Sequence, residues 1–228
     1  MVWRLITNLG DSSVVLPLGA LLTAMLWRYE SVRAAWLMLR ALVLCVAGLS
    51  ALKLAFISCG HAWHAQLESP SGHTGLSILV YGALAAVAMG MTSVARSQEL
   101  GGAELRPPTG KSALRPPAGG SALRLQAMLP MLIGYAAPPL VGAIAVSRVA
   151  LRAHTLPEVS VGAVVGLASL LCFVLPYRKL PHARFPMGAF VLLMLAVLVV
   201  TYGENSPAEN VIRYFASLIV RSSGVCSG

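Results

Sequence analysis

The chain has 228 residues, of which 57% are hydrophobic and only 11% charged, with a mean hydropathy of +0.76 and a formal net charge of +9. A soluble domain carries about 25% charged residues, so the composition excludes one and specifies a membrane protein. The basic residues are scattered around apolar segments rather than clustered with aromatics on a polar surface, which argues against a nucleic-acid partner.

A spanning helix needs about 20 mostly apolar residues. Six segments answer to that, roughly 9–27, 34–57, 75–95, 127–146, 159–177 and 186–202, and predict an all-α fold: a polytopic six-helix transmembrane bundle forming one domain over 1–228. No small-residue cleavage pattern follows the N-terminal apolar core, so the first segment is expected to remain as a helix rather than act as a removable signal. Asp11 stands before its cleanest run, Val14 to Trp27. Helix capping is the preferred reading of Asp11, with reach into a cavity as the alternative. Cys45, Cys59, Cys172 and Cys226 show no CxxC spacing and read as small apolar side chains rather than a disulfide framework.

The second segment carries Lys53 near its end. A snorkelling lysine at a helix end and a ligand for an anion are both open readings. After it, His61 and His64 in CGHAWHAQ have three-residue spacing, but no carboxylate or thiol completes a metal site, and none is expected. The third segment opens with Pro70, Ser71, Gly72 and His73. Between the third and fourth, residues 97–126 contain LRPPTGKSA, LRPPAGGSA and LRLQ, a nine-residue repeat starting at Leu105, Leu114 and Leu123. Paired prolines with glycines and serines build no core, so this loop is expected to be disordered or extended. Its GKS is not a phosphate loop: the first glycine would fall at Leu105, and no strand precedes it. The fourth segment ends in Ser147 and Arg148, and Arg152, His154 and Glu158 lead into the fifth. His182, in YRKLPHARFP, belongs to a basic solvated loop. In the tail, residues 203–228, Val211, Ile212, Phe215, Leu218 and Ile219 fall at helical spacing, as an interfacial amphipathic helix or one packed on the bundle.

Lys and Arg collect in cytoplasmic loops. Arg28, Arg33, Arg96, Arg106, Lys111, Arg115, Arg124, Arg178, Lys179 and Arg184 fall on one side of a six-helix topology, and Arg4, Lys53, Arg148, Arg152, Arg213 and Arg221 on the other. The bias puts both termini outside. Alternating helix directions then bring Lys53, the Pro70–His73 turn and the Ser147–Glu158 junction to the same outer face.

Two imidazoles, an Arg, a Lys, a Ser-Gly turn at a helix start and a carboxylate are suited to handling phosphate. Cations neutralise phosphoryl oxygens, and free backbone N–H groups at a helix N-terminus add donors. Glu158 lies four residues after His154, on the same helix face if that segment is helical, where it would hold the imidazole tautomer and stabilise its cation. One histidine is then placed to attack phosphorus while the other protonates the leaving oxygen.

These residues resemble the type 2 phosphatidic acid phosphatases, membrane relatives of the vanadium haloperoxidases, whose pattern is Lys-x6-Arg-Pro, Pro-Ser-Gly-His, and Ser-Arg-x5-His-x3-Asp. Pro70, Ser71, Gly72 and His73 match the second motif completely, and Ser147, Arg148 and His154 match the third at the right spacing. The resemblance spans Lys53 to Glu158 and implies that His154 is the nucleophile of a phosphohistidine and His73 the general acid. It implies that Lys53, Ser71, Gly72 and Arg148 bind the substrate phosphate without metal or other cofactor. Gly60 and His61 stand where that family has Arg-Pro, which removes one guanidinium, with His61, His64 and Arg152 as possible substitutes; Glu158 replaces the closing Asp.

The expectation is therefore a membrane hydrolase, a phosphatase of lipid metabolism acting on a lipid phosphate or diphosphate from the bilayer. Phosphatidic acid, phosphatidylglycerol phosphate and undecaprenyl diphosphate are candidates by the resemblance. The site would lie on the periplasmic or outer face of a bacterial-type inner membrane; no N-x-S/T sequon is present, since Asn8, Asn205 and Asn210 are followed by Leu-Gly, Ser-Pro and Val-Ile. The alternatives are a catalytically degenerate protein of the same fold that binds or transports a phospholipid, and transfer of phosphate to an acceptor other than water.

Overall fold

The computed structural model describes residues 2–59, 69–104, 120–181 and 186–201. Among these the chain is an all-α bundle of α1 (Val2–Asn8), α2 (Ser12–Tyr29), α3 (Val32–Cys59), α4 (Gly72–Glu104), α5 (Gly120–Ala150), α6 (Leu156–Tyr177) and α7 (Met187–Thr201). Five spans, Val2–Tyr29, Val32–Phe56, Gly72–Gly90, Met128–Ala150 and Leu156–Tyr177, are long and apolar enough to cross a bilayer, so the chain is an integral membrane protein.

Two boundaries differ from the sequence reading. The first segment, expected from residue 9, starts as α2 at Ser12: the chain turns at residues 9–11, and Asp11 caps α2 by accepting a hydrogen bond from Ser13 N on Oδ1 at 2.9 Å. The sixth segment, expected over 186–202, is α7, whose 15 described residues cover about 22 Å at about 1.5 Å per residue. The loop expected over 97–126 begins later and ends earlier, because α4 continues to Glu104 and α5 begins at Gly120. The repeat's interior, 105–119, and the tail beyond Thr201 lie outside the described residues, as do His61, His64 and His182.

α4 runs through the middle of the bundle, packed on α2, α3, α5 and α6. Its Leu79, Val80, Ala83, Leu84 and Val87 are buried with Leu18 and Leu22 of α2, Met38 and Cys45 of α3 and Phe173 of α6. The outward faces remain apolar, with Leu132 and Tyr135 of α5, Val164 and Leu175 of α6 and Val199 of α7 exposed, as hydrocarbon solvent requires. Without a hydrophobic drive between helices in lipid, close backbone approach favours association, and α4 and α6 show it. A Cβ on Gly162 would stand 2.3 Å from Ser71 O, and one on Gly166 would stand 2.4 Å from Gly75 O. Only glycine allows that seam, and it sets the start of α4 against the start of α6.

Helix direction alternates from α2 to α6. Asp11, Lys53, the Pro70–His73 turn, Arg148 and the His154–Glu158 segment therefore emerge at one end. At the other end Tyr177 donates its hydroxyl hydrogen to Glu30, 2.8 and 3.0 Å from the two carboxylate oxygens, and Arg28 stacks 5.2 Å from the Tyr29 ring centroid.

Candidate active site

The link from α5 to α6 places the first histidine. Arg152 takes the left-handed conformation at φ 52, its N–H bonds Val149 O at 2.9 Å, and Ala153 N–H bonds Arg148 O at 3.0 Å. This is a Schellman closure, a motif that usually spends a glycine at the left-handed position. His154 N–H also reaches Arg148 O, at 3.3 Å, so the turn holds His154 beside the end of α5. Thr155 then caps α6, with Pro157 in the first turn, where its missing N–H costs no helical bond.

Glu158 occupies the third position of that helix and is buried. Its Oε2 accepts Thr155 N–H at 2.9 Å and lies 3.1 Å from His154 Nδ1, while its Oε1 accepts Ser69 N–H at 2.7 Å. Its backbone carbonyl accepts Ser71 N–H at 3.0 Å. One residue thus does two things: it holds the nucleophile candidate and ties the Pro-Ser-Gly-His turn to α6. An ionised carboxylate only accepts, so His154 Nδ1 is the N–H donor and the lone pair sits on Nε2. Burial holds the His154 imidazole below its ordinary value; the Glu158 hydrogen bond and charge pull upward, and the Arg148 and His73 charges add to the lowering. The net direction favours the neutral ring that a nucleophile needs.

A cavity of about 150 Å³ opens at this end of the bundle, lined by Lys53, Gly72, His73, Arg148 and His154 together with Asp11, Ser12, Pro70 and Ser50, and on its apolar side by Leu16, Val46, Leu49 and Leu76. Of the residues singled out from sequence, it gathers both histidines, both cations and the glycine. Ser71 and Glu158 stand behind it: Ser71 is fully buried, and its Oγ accepts the Thr74 hydroxyl at 3.1 Å. Ser147 is buried too, its hydroxyl turned back to Ile144 O at 2.6 Å. Arg152, considered as a substitute for the missing guanidinium, is exposed and does not line the cavity.

Asp11 is the residue the sequence reading valued too little. Besides capping α2, its Oδ2 lies 3.2 Å from His73 Nε2. The turn that carries it is fixed from three sides. Tyr81 donates to Leu9 O at 2.8 Å, Arg148 Nη1 donates to Thr7 Oγ1 at 3.1 Å, and Gly10 packs where a Cβ would meet Ile144 Cγ2 at 2.5 Å. The available signal was that the chain's single Asp precedes a helix at the end where the histidines emerge. Among the described residues no group of three or more His, Cys, Asp or Glu is placed to hold a metal ion.

Compared with protein-family models, with curated proteins and with solved structures, the chain matches none.

Proposed function

We propose that the protein is a membrane phosphatase that hydrolyses a lipid phosphate or diphosphate through a phosphohistidine on His154, as its likeness to the type 2 phosphatidic acid phosphatases implies. The observation that carries this reading is His154 with its Nδ1 held by the buried Glu158, facing a cavity shared with His73, Arg148 and Lys53. A protein that merely holds phosphate needs the cations but has no use for an imidazole whose tautomer is fixed by a buried carboxylate.

In the first step the Nε2 lone pair of His154 forms a bond to phosphorus as the bond from phosphorus to the leaving oxygen breaks, and His73 gives that oxygen a proton. Glu158 stabilises the cationic phosphoimidazole. Arg148, Lys53 and the N–H groups at the start of α4 take the phosphoryl oxygens, where charge grows in the transition state. In the second step water gives its proton to His73 as its oxygen attacks phosphorus, and the bond to Nε2 breaks.

A lipid is favoured because Leu16, Val46, Leu49 and Leu76 line the cavity beside its cations and Val46 is also exposed on α3, which suits a phosphate carried on an apolar tail. The basic residues at the opposite end, Arg28, Arg33, Arg178 and Lys179, support an outer-face site by the positive-inside bias. The bacterial-type inner membrane belongs to the same proposal.

The test is phosphate release by the detergent-purified protein from a panel of lipid phosphates and diphosphates with chelator present, beside His154→Ala and His73→Ala. The reading expects release that both variants lose and acid-labile phosphate on His154. No release from folded protein on any member of the panel would replace it with a phospholipid-binding or transport role.

A further inference from the structure

Each histidine of the cavity is met by its own carboxylate: His154 by Glu158 and His73 by Asp11, at 3.1 and 3.2 Å. We infer that Asp11 is a positioning residue for His73, holding its Nε2–H so that Nδ1 is the nitrogen that delivers the proton to the leaving oxygen. The inference rests on the phosphatase reading above and adds to it a residue and an atom.

Asp11 divides its two oxygens between two tasks, Oδ1 to the Ser13 N–H and Oδ2 to His73. Its place is set by packing rather than chance, because Tyr81, Arg148 and the Gly10–Ile144 contact pin the turn on which it sits. A carboxylate accepts and does not donate, so the Asp11–His73 contact uses Nε2 as donor. The imidazolium then carries its other proton on Nδ1. As the Nε2 of His154 bonds to phosphorus and the leaving oxygen departs, that oxygen takes the Nδ1 proton, and His73 is left neutral with its remaining proton on Nε2, the tautomer Asp11 holds. In hydrolysis the Nδ1 lone pair takes the proton of the attacking water as the phosphorus–nitrogen bond breaks, which restores the starting state. Among the described residues the other ionisable groups around the cavity are Lys53, Arg148 and His154, with Glu158 behind His154. Asp11 is the carboxylate in contact with His73.

Asp11→Asn tests this, because asparagine caps a helix as well as aspartate does, while its amide N–H turned toward Nε2 supports the wrong tautomer and no cation. Asp11→Ser is the second variant: it keeps a cap and cannot reach His73. Single-turnover phosphorylation of His154 is timed with an alkyl phosphate, whose alkoxide must be protonated to leave, and with a nitrophenyl phosphate, whose leaving group needs no acid. Both variants, like His73→Ala, are expected to slow the alkyl ester about 10²-fold more than the aryl ester. A merely structural role slows the two esters alike. Equal slowing of both, or no slowing of either while His73→Ala discriminates between them, overturns the inference and leaves the phosphatase reading standing. Wild-type protein that phosphorylates His154 with neither ester overturns both.

Discussion

On one wall of the cavity is His154, with Glu158 behind it four residues further on, across the Thr155 cap, their side chains 12% and 5% exposed; on the other His73 and Asp11 come from the starts of two different helices and are 21% and 25% exposed. The first pair is over-determined, since the Glu158 carboxylate accepts from three donors and its backbone carbonyl from a fourth. The second rests on one 3.2 Å contact and on a turn held from outside. On the proposed mechanism the difference separates the tasks: a nucleophile whose tautomer is locked, and a proton carrier that gains from facing water. It also predicts unequal sensitivity to substitution.

The largest effect is expected at the locked wall. Glu158→Ala strips the acceptor from Ser69 N–H, Thr155 N–H and His154 Nδ1, and is predicted to cost turnover on the order of 10³-fold and stability about 1 kcal/mol for each of the two part-buried backbone hydrogen bonds lost. Phosphate release and thermal melting read the two, and turnover within tenfold of wild type would sink the orienting role of Glu158.

Next comes the seam that holds the walls together. Gly162→Ala forces a methyl against Ser71 O and pushes α4 from α6, at about 1–3 kcal/mol of stability, with activity lost on both walls at once. Gly142, in α5, has no neighbour within 4 Å of a would-be Cβ, so Gly142→Ala should stabilise by about 0.5–1 kcal/mol. Equal melting temperatures for the two variants would deny the seam its role.

A smaller effect is expected in the pH profile. On the proposed mechanism the nucleophile is neutral His154, whose value lies below the ordinary 6.5, so the acid limb of kcat/KM should lie below pH 6.5, with activity lost only as pH falls through that lower value. Glu158 opposes the lowering by stabilising the cation. Glu158→Gln should therefore move the acid limb of its residual activity to still lower pH, and movement to higher pH contradicts the assignment.

The smallest is at the turn. Arg152→Gly removes a left-handed non-glycine residue and should stabilise by about 1 kcal/mol, measured by melting, with turnover unchanged because Arg152 does not line the cavity.

Much of the candidate site could be read from sequence because its parts sit at helix ends. Hydropathy marks the spans, alternation assigns their ends to faces, and so Lys53, Pro70–His73 and Arg148–Glu158 fall together before any contact is known. The His154–Glu158 pair was readable from its four-residue spacing, although His154 lies just before the Thr155 cap and meets Glu158 across it, not on a helix face. The sixth segment was readable too, since hydropathy marks 186–202 and α7 runs from Met187 to Thr201. For Asp11 capping was preferred over reach into a cavity, since a cap needs only the two residues that follow it, whereas its contact with His73 depends on how α2 and α4 pack.

The sequence by itself therefore determined the membrane-embedded, all-α character, the end of the bundle at which the polar groups emerge, and the one carboxylate–histidine pair contained in a single turn, because each follows from spacing along one chain segment. Only the tertiary structure decided that Asp11 meets His73, that Ser71 and Glu158 stand behind the cavity rather than in it, and that glycines draw α4 onto α6. Those depend on how each helix is rotated about its own axis, and an apolar sequence in an apolar solvent leaves that angle to packing.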